Sequence, residues 1–530
     1  MECVATNPGE GMRVGVVRSF TRVIFMVLGL AACQSLPDRA QVGSSYKQKD
    51  VSDTDLAGQM APLVKPHAGK SGAYPLSSGL DALVARLALV NSAQKTLDLQ
   101  YYIWHSDKAG RMLAWSLLEA ADRGVRVRLL LDDMGSPLGD ESLLLMDGHP
   151  NIEIRLFNPL SDREWRIWSM MTEFGRVNRR MHNKSLTADN TVSIVGGRNI
   201  GNEYFEANSD VVFADLDLAV IGPVVEQVSD GFDLYWNHET SYPVSLLSSH
   251  QFTEAEMIQA RQDGALYIEA AKQSEYAGRL LSADLVKTLG VQEWFWGEAS
   301  VLYDHPSKAL ADEPADDLLL STQLSQVFGD LSQELLLVSP YFVPGKDGVQ
   351  FLQGLVDKGI QVTIVTNSLA ATDVGAVHSG YAKYRKDLLK SGVVIYEMRP
   401  DPNKKSESAE HDKSAFIGSS AQASLHAKAF FLDRRTTFVG SMNLDPRSLL
   451  INTEIGVILH SSEFTDSAHK QILLSAKDKA YKLSLDQEGD IIWTAWQGGA
   501  AIQYDSEPMV SAWRRFAVWC IGLFPIESQL

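Results

Sequence analysis

A short polar signature occurs twice in this chain, in the same order and at the same spacing, and it constrains the architecture more than any other feature. The first copy is His182-Asn183-Lys184, then Asp189, then Gly196-Gly197-Arg198-Asn199; the second is His426-Ala427-Lys428, Asp433 and Gly440-Ser441-Met442-Asn443. In both, Lys follows His by two positions, Asp by seven and Asn by seventeen. A spacing of two puts His and Lys on one face of a strand. The flanking text repeats as well. Leu80, Leu83, Val84 and Leu87 predict a helix, followed by a strand over Thr96–Trp104, a helix over Arg111–Asp122 and a strand over Val125–Leu131. The second half predicts helix Leu318–Phe328, strand Glu334–Phe342, helix Val349–Lys358 and strand Ile360–Thr366. Helical text precedes a further strand in each half, Asn151–Phe157 and Val393–Met398. The expected fold class is therefore α/β: two similar lobes with mixed, largely parallel sheets flanked by helices, meeting at one site by pseudo-twofold symmetry.

Two His, two Lys and two Asn, with no thiolate or carboxylate cluster for a metal, fit a phosphodiester. Such a substrate needs a nucleophile, an acid for the leaving alcohol and fixed positive charge around its oxygens. One imidazole attacks phosphorus to form a phosphohistidine, the other protonates the departing oxygen, and the roles reverse when an acceptor enters. Lys184, Lys428, Asn199 and Asn443 would bind the phosphate oxygens. The two ammonium groups replace the positive charge that Mg²⁺ brings elsewhere, so no cofactor and no metal are expected. Zinc is disfavoured at the two His, because each is paired with a Lys that repels a cation. Sequence symmetry does not say which His is the nucleophile.

The paired H-x-K-x4-D motifs followed by G-G/S-x-N resemble the phospholipase D superfamily, from about Ser77 to the C-terminus. That resemblance implies the bilobal fold, the phosphohistidine mechanism, and His182 as nucleophile with His426 as general acid. It also implies an orienting carboxylate beyond each motif, for which Asp217 in ADLDLAVIGP and Glu454 in NTEIGV match best. Such a buried acid fixes the imidazole tautomer and stabilises the imidazolium. Asp189 and Asp433 close the two motifs and are read as stabilising loops rather than as directly chemical. Gly197-Arg198 stands where the second copy has Ser441-Met442, which removes a hydroxyl donor and predicts two unequal phosphate cradles.

Composition sets the surroundings. With 48 Lys+Arg against 66 Asp+Glu the formal net charge is −18, which disfavours a general nucleic-acid binder. Three cysteines, Cys3, Cys33 and Cys520, cannot build a disulfide framework or a four-thiolate zinc site. The uncharged apolar run Val23–Ala32 is about half the ~18 residues that indicate a membrane span. It follows Arg13, Arg18 and Arg22 and ends in Leu30-Ala31-Ala32-Cys33, which looks like a bacterial lipoprotein signal with Cys33 as the lipidated residue. Gln34 after the cysteine makes the outer membrane the default destination, facing the periplasm, with Met12 an alternative start. The expected organisation is a signal over residues 1–32, a tether over 33–75, a first lobe over 76–250, a helical insert over 251–315, a second lobe over 316–475 and a C-terminal segment over 476–530.

Substrate class rests on two further stretches. Arg163, Arg166, Arg176, Arg179, Arg180 and Lys184 alternate with Trp165, Trp168, Met170, Met171 and Phe174, a mixture that suits anionic lipid headgroups. Trp513, Phe516, Val518, Trp519, Leu523 and Phe524 offer a C-terminal apolar cluster that either caps the second lobe or dips into lipid. Trp294, Phe295 and Trp296 read as core, and the isolated His105 and His378 as structural. Within the superfamily, SPYFVPG, TNSLAATDV and FPIESQL are similar to cardiolipin synthases of the C type. This implies transfer of a phosphatidyl group onto phosphatidylglycerol, with phosphatidylglycerol or phosphatidylethanolamine as donor, at a membrane surface and without nucleic acid. The alternatives are a phospholipase D-type hydrolase giving phosphatidic acid and a phosphodiester nuclease, which shares the motifs.

Overall fold

The computed structural model of the protein describes residues 36–136, 138–207, 212–248, 250–273, 293–400 and 423–530. The expected signal segment and Cys33 lie outside them. The first lobe contains β1 (Ser71–Leu76), β2 (Thr96–Tyr101), β3 (Arg126–Asp132), β4 (Ile152–Phe157), β5 (Ser185–Ala188), β6 (Val192–Gly196), β7 (Val212–Ala214), β8 (Asp217–Ile221) and β9 (Ser241–Pro243). The second contains β10 (Phe295–Tyr303), β11 (Glu334–Val338), β12 (Gln361–Asn367), β13 (Val394–Met398), β14 (Ala423–Leu425), β15 (Ala429–Leu432), β16 (Thr436–Gly440), β17 (Ile455–His460), β18 (Ala480–Leu485), β19 (Ile491–Gln497) and β20 (Ala500–Tyr504).

Eighteen of these strands form one continuous sheet whose centre is the antiparallel pair β1–β10. Outward from it the neighbours run β8, β6, β5, β2, β3, β4, β9 on one side. On the other they run β17, β16, β15, β11, β12, β13, β18, then β19 and β20. Each strand of the first lobe thus has its counterpart in the second. Within this sheet, among the described residues, only β2–β3–β4 and β11–β12–β13 are parallel, joined by helices such as Lys108–Asp122 and Gly345–Asp357. The sheets are therefore mixed and mostly antiparallel, not largely parallel. The His-bearing hairpins and their neighbours supply the antiparallel strands, and their short runs carry too little periodicity to reveal pairing direction.

Among the apolar clusters of the described residues, three hold the arrangement of the lobes. Leu83, Leu97, Leu129 and Ile154 belong to the first lobe's core, and Leu324, Leu337, Ile364 and Phe430 to the second's. The third contains Val195, Leu218 and Val220 from one lobe with Val439, Val457 and Leu459 from the other. At about 1.5–3 kcal/mol for each fully buried aliphatic side chain, this shared cluster joins the lobes into one unit.

The boundaries differ from expectation in three places. Order starts before Ser77: helix Asp55–Val64, capped by Thr54, buries Leu56 and Met60, and β1 follows. Upstream, the expected tether is strapped down by Arg155 Nη2 on Gly43 O at 2.8 Å, Arg128 Nη1 on Ser45 O at 2.8 Å and Lys47 N on Asp233 Oδ2 at 2.8 Å. These are polar contacts to two buried arginines and a buried aspartate, which leave no apolar pattern in the sequence. The expected insert contains helix Glu254–Lys272, but β10 at its end is the first strand of the second lobe. Lastly, β18 extends the second lobe past residue 475 as the counterpart of β9.

Candidate active site

The two His residues sit where the lobes exchange backbone. Strand β14 runs parallel to β7 of the other lobe, and His426, the next residue, donates its N–H to Ala214 O at 2.8 Å. In the other half Met181 bridges Thr453, and His182 donates to Thr453 O at 2.8 Å. The residue after each acceptor is an acid of the opposite lobe. Glu454 Oε2 lies 2.8 Å from His182 Nδ1, and Asp215 Oδ2 lies 2.6 Å from His426 Nδ1. Each lobe therefore orients the other's imidazole, with Nδ1–H directed at the carboxylate.

Asp217, expected to orient a His, does not. Its register partner Gly196 corresponds to Gly440, whose partner is Gly456, so Asp217 occupies the Gly456 position and Asp215 the Glu454 position. Asp217 is fully buried against Arg86 Nη2 at 2.9 Å and Arg198 Nη1 at 3.3 Å. Two residues apart on one strand, Asp215 and Asp217 share a face, and the alternation that marks the strand cannot separate them. Arg198 organises this acid loop through the carbonyls of Leu76, Ser77 and Asp215, each at 2.7 Å. Gly197 is required beside it, because a Cβ there would stand 2.2 Å from Asp215 Oδ1. In the second lobe the Ser441 hydroxyl donates to Glu454 Oε2. The Gly197/Ser441 difference thus acts on the orienting acids.

Both motif lysines are buried beside their histidines. Lys184 Nζ donates to the His182 carbonyl at 2.5 Å, and Lys428 Nζ donates to that of His426 at 2.5 Å while lying 2.9 and 3.0 Å from its ring nitrogens. Asn199 accepts from Ile103 N at 3.2 Å and donates to the Tyr204 hydroxyl at 2.9 Å, while the buried Asn443 Oδ1 has no hydrogen-bond partner among the described residues. Tyr102 meets the His182 ring edge-on with centroids 5.1 Å apart, and Tyr204 and Phe213 flank His426 at 5.3 and 5.0 Å. Asp132, fully buried, accepts from Met181 N at 2.9 Å and from Arg180 at 3.2 Å, fixing the approach to His182. Sequence reasoning missed Asp215, Asp132 and these aromatic walls. Among the missed residues, only Asp215 left a signal, as an acid just before a strand.

Asp189 and Asp433 do stabilise loops. Each adopts a positive φ, 48° and 50°, at its hairpin turn. Asp189 accepts from Gln94, Lys95 and Thr96 N at 2.9, 2.7 and 2.9 Å; Asp433 accepts from Ser332, Gln333 and Glu334 N at 2.9, 2.7 and 2.9 Å. Each carboxylate pins a His-bearing hairpin to the start of β2 or β11 and points away from the site.

Burial dominates the electrostatics. It lowers His182 to about 4, against the opposing pull of Glu454 and with help from Lys184 and Lys428. Burial and the adjacent Lys428 also lower His426, with Asp215 opposing. Both imidazoles are neutral at pH 7. Lys184 is pushed well down by burial, and Lys428 to about 8. Asp215 resists burial because His426, Lys428 and Arg198 hold it well below the carboxylate range, and His182, Lys184 and Ser441 lower Glu454 against its burial. Burial thus works against positive charge on these four bases, an effect that an anionic phosphate beside them would oppose. Among the described residues one His/Asp/Glu group, His105, Asp107 and Glu203, has ligand atoms within 4.8 Å of one another. Asp107 there already accepts from Gly110 N and Asn202 N.

The expected cationic approach is corrected. Arg163 pairs with Asp133 and Asp140, Arg166 with Asp133, Arg176 with Glu173, Arg179 with Asp312 and Arg180 with Asp132. What projects from this stretch is apolar: Trp165 is 70% and Met171 71% exposed. On the C-terminal helix Ala512–Ile521, Trp513, Phe516 and Trp519 are exposed too. Trp294 is buried, Trp296 stacks on His67 and Phe295 packs on Phe464, as core residues do. His378 is tied to Glu507 at 3.0 Å. Among the described residues, no helix is long and apolar enough to cross a membrane.

Comparison with known proteins agrees with this geometry. A family profile described as cardiolipin synthase, PLD-like domain, matches residues 87–236 and 325–473. The chain belongs to this family. Each matched segment holds one His-Lys motif and the acid that serves the other lobe. Cardiolipin synthase C of Escherichia coli (strain K12) is 42% identical over 90% of this chain and 99% of its own. An uncharacterized protein of Helicobacter pylori (strain ATCC 700392 / 26695) is 32% identical over 93% of this chain and 96% of its own. The crystal structure of phosphatidylserine synthase from Haemophilus influenzae Rd KW20 shares the fold, with a TM-score of 0.55 and 13% identity over 86% of this chain and 95% of that one.

Proposed function

We propose that the protein is a phosphatidyltransferase that makes cardiolipin from phosphatidylglycerol and a second phospholipid, phosphatidylglycerol or phosphatidylethanolamine. The observation that carries this reading is the pair of buried imidazoles, each with Nδ1 on an acid of the opposite lobe and a motif lysine alongside. His182 Nε2 attacks phosphorus of the donor, and the bond from phosphorus to the headgroup oxygen breaks. His426 gives that oxygen a proton, having gained it as the incoming phosphate anion raises its pKa. The phosphoimidazolium carries Nδ1–H to Glu454, which stabilises its charge. The terminal hydroxyl of phosphatidylglycerol then loses its proton to His426 and attacks phosphorus, the phosphorus–nitrogen bond breaks and neutral His182 returns. Lys184, Lys428 and Asn443, with the remaining N–H of Asn199, bind the non-bridging oxygens.

The exposed Trp165, Trp168 and Met171 and the exposed face of Ala512–Ile521 would rest in the headgroup region of a bilayer, and a lipidated Cys33 would tether the protein to an envelope membrane. Incubation with labelled phosphatidylglycerol, with and without phosphatidylethanolamine, tests the reading. Labelled cardiolipin that disappears with His182→Ala or His426→Ala is the expected result. Phosphatidic acid as the sole product makes the protein a hydrolase; DNA cleavage without lipid turnover makes it a nuclease.

A further inference from the structure

Helix Glu254–Lys272 interrupts the repeat and has no counterpart among the described residues of the second lobe. It is nineteen residues long, yet Ile268 is its one buried side chain. A helix held by so little core is placed there for something other than the stability of the lobe. It roofs a cavity of about 600 Å³, in the size range of small-molecule sites. Ala114, Trp115 and Leu118 of helix Lys108–Asp122 and Leu143 and Met146 of helix Asp140–Asp147 form its walls, and Met257 and Ala260 line the roof. The roof comes down at Gly264, where a Cβ would stand 2.7 Å from the Trp115 ring. Arg261 on Asp122 at 2.8 Å and Arg111 over the Tyr267 ring at 4.9 Å hold it in place. None of the motif residues lines this space.

Its position relative to the histidines decides what it could hold. Tyr102 stands against His182, Ile103 donates to Asn199, and the next residues, Trp104, His105 and Ser106, line the cavity. Two residues of extended chain span at most about 7 Å. One acyl chain spans half of a bilayer core, about 15 Å. A chain attached to a glycerol whose phosphate lies at His182 is thus long enough to reach the cavity and enter it. A wall mainly of Leu, Met, Ala and Trp side chains, whose charged members are Arg111, Asp263 and the Arg261–Asp122 pair, suits aliphatic carbon better than a sugar or a peptide.

We propose that this cavity is an acyl-chain site for the glycerophospholipid bound at the histidine pair, closed by the helix Glu254–Lys272. The proposal rests on phospholipid being the substrate. The test uses the full chain and phosphatidylglycerol bearing a diazirine at the end of one acyl chain. After photolysis, label is expected on peptides from Lys108–Asp122 and Glu254–Lys272. Two separate substitutions fill the space from opposite walls, Ala114→Phe and Ala260→Phe. Each should remove that label and lower kcat/KM for long-chain phosphatidylglycerol by about tenfold or more, since every methylene displaced from apolar burial costs a factor of about four. Turnover of the dihexanoyl analogue should stay unchanged. Label confined to other peptides, label indifferent to both substitutions, or equal loss on long and short chains in both variants would overturn the proposal. Labelling of the cavity without cardiolipin or phosphatidic acid production would sink the functional reading and leave the lipid site standing. Turnover of long-chain lipid without cavity label would do the reverse.

Discussion

Asp215 and Asp217 are two residues apart, equally buried and chemically identical, yet the structure gives them different work, so the Asn variants should fail in different ways. Asp215→Asn keeps a hydrogen-bonding side chain 2.6 Å from His426 Nδ1 but removes the charge that balances an imidazolium there. General acid–base catalysis contributes about 10²–10⁴ in rate, and that is the expected loss in kcat, with the fold intact. Asp217→Asn leaves Arg86 and Arg198 buried without their carboxylate. Breaking a buried ion pair by removing one partner costs about 3–5 kcal/mol. For a lobe of this size the midpoint should fall by about 10 °C. Below that midpoint Asp217→Asn should retain most of its turnover per folded molecule, because no reacting group has changed. The assay pairs thermal unfolding with single-turnover conversion of labelled phosphatidylglycerol. A stable but inactive Asp217→Asn beside an active Asp215→Asn would refute the register argument that assigns Asp215 to the imidazole.

Ser441→Ala removes one donor from Glu454; hydrogen bonds to charged groups are worth about 1.5–3 kcal/mol, so kcat should fall about 10–100-fold while the melting midpoint moves little. Asp433→Ala frees three backbone N–H groups at the start of β11 and should lower stability by about 2 kcal/mol, read by urea unfolding, while turnover of the folded enzyme changes less than twofold. The acid limb of the kcat/KM profile should lie near pH 4, because His182 reacts as the neutral base and is held there at about 4. Stability has the same cause. The unfolded chain binds a proton at His182 near pH 6.5 and the folded chain only near 4, so stability is lost as pH falls through that window, by about 3 kcal/mol from this residue alone. A chevron or urea series from pH 7 to 4 with no such slope would contradict the buried neutral imidazole.

What was legible in the sequence follows from how locally each feature is encoded. His182, Lys184, His426 and Lys428 were readable because the motif places them two apart on short runs, and a duplicated spacing needs no tertiary information. The parallel cores were readable from the periodicity of β2, β3, β11 and β12. The acids were harder, since Glu454 and Asp215 reach their histidines across 272 and 211 residues, through contacts between the lobes. Asp217 stands two residues beyond Asp215, a spacing that on a strand preserves the face and so conceals the error. The arginine-rich stretch misled for a related reason. Its charges are cancelled by Asp132, Asp133, Asp140 and Asp312, which are close only in space.

The exchange of acids between lobes has a physical consequence. A single lobe would leave its His without a carboxylate on Nδ1, so nothing there would fix the tautomer or balance an imidazolium. Docking brings Glu454 to His182 and Asp215 to His426, together with the apolar cluster of Val195, Leu218, Val439 and Val457 that makes the contact permanent. The reactive imidazoles are therefore oriented only once both halves of the duplicated chain have folded, and the hydrophobic surface that joins the lobes is the same device that completes the site. A substitution such as Val457→Asp at that surface, remote from phosphate in chemistry, should disorder both histidines together and not one of them.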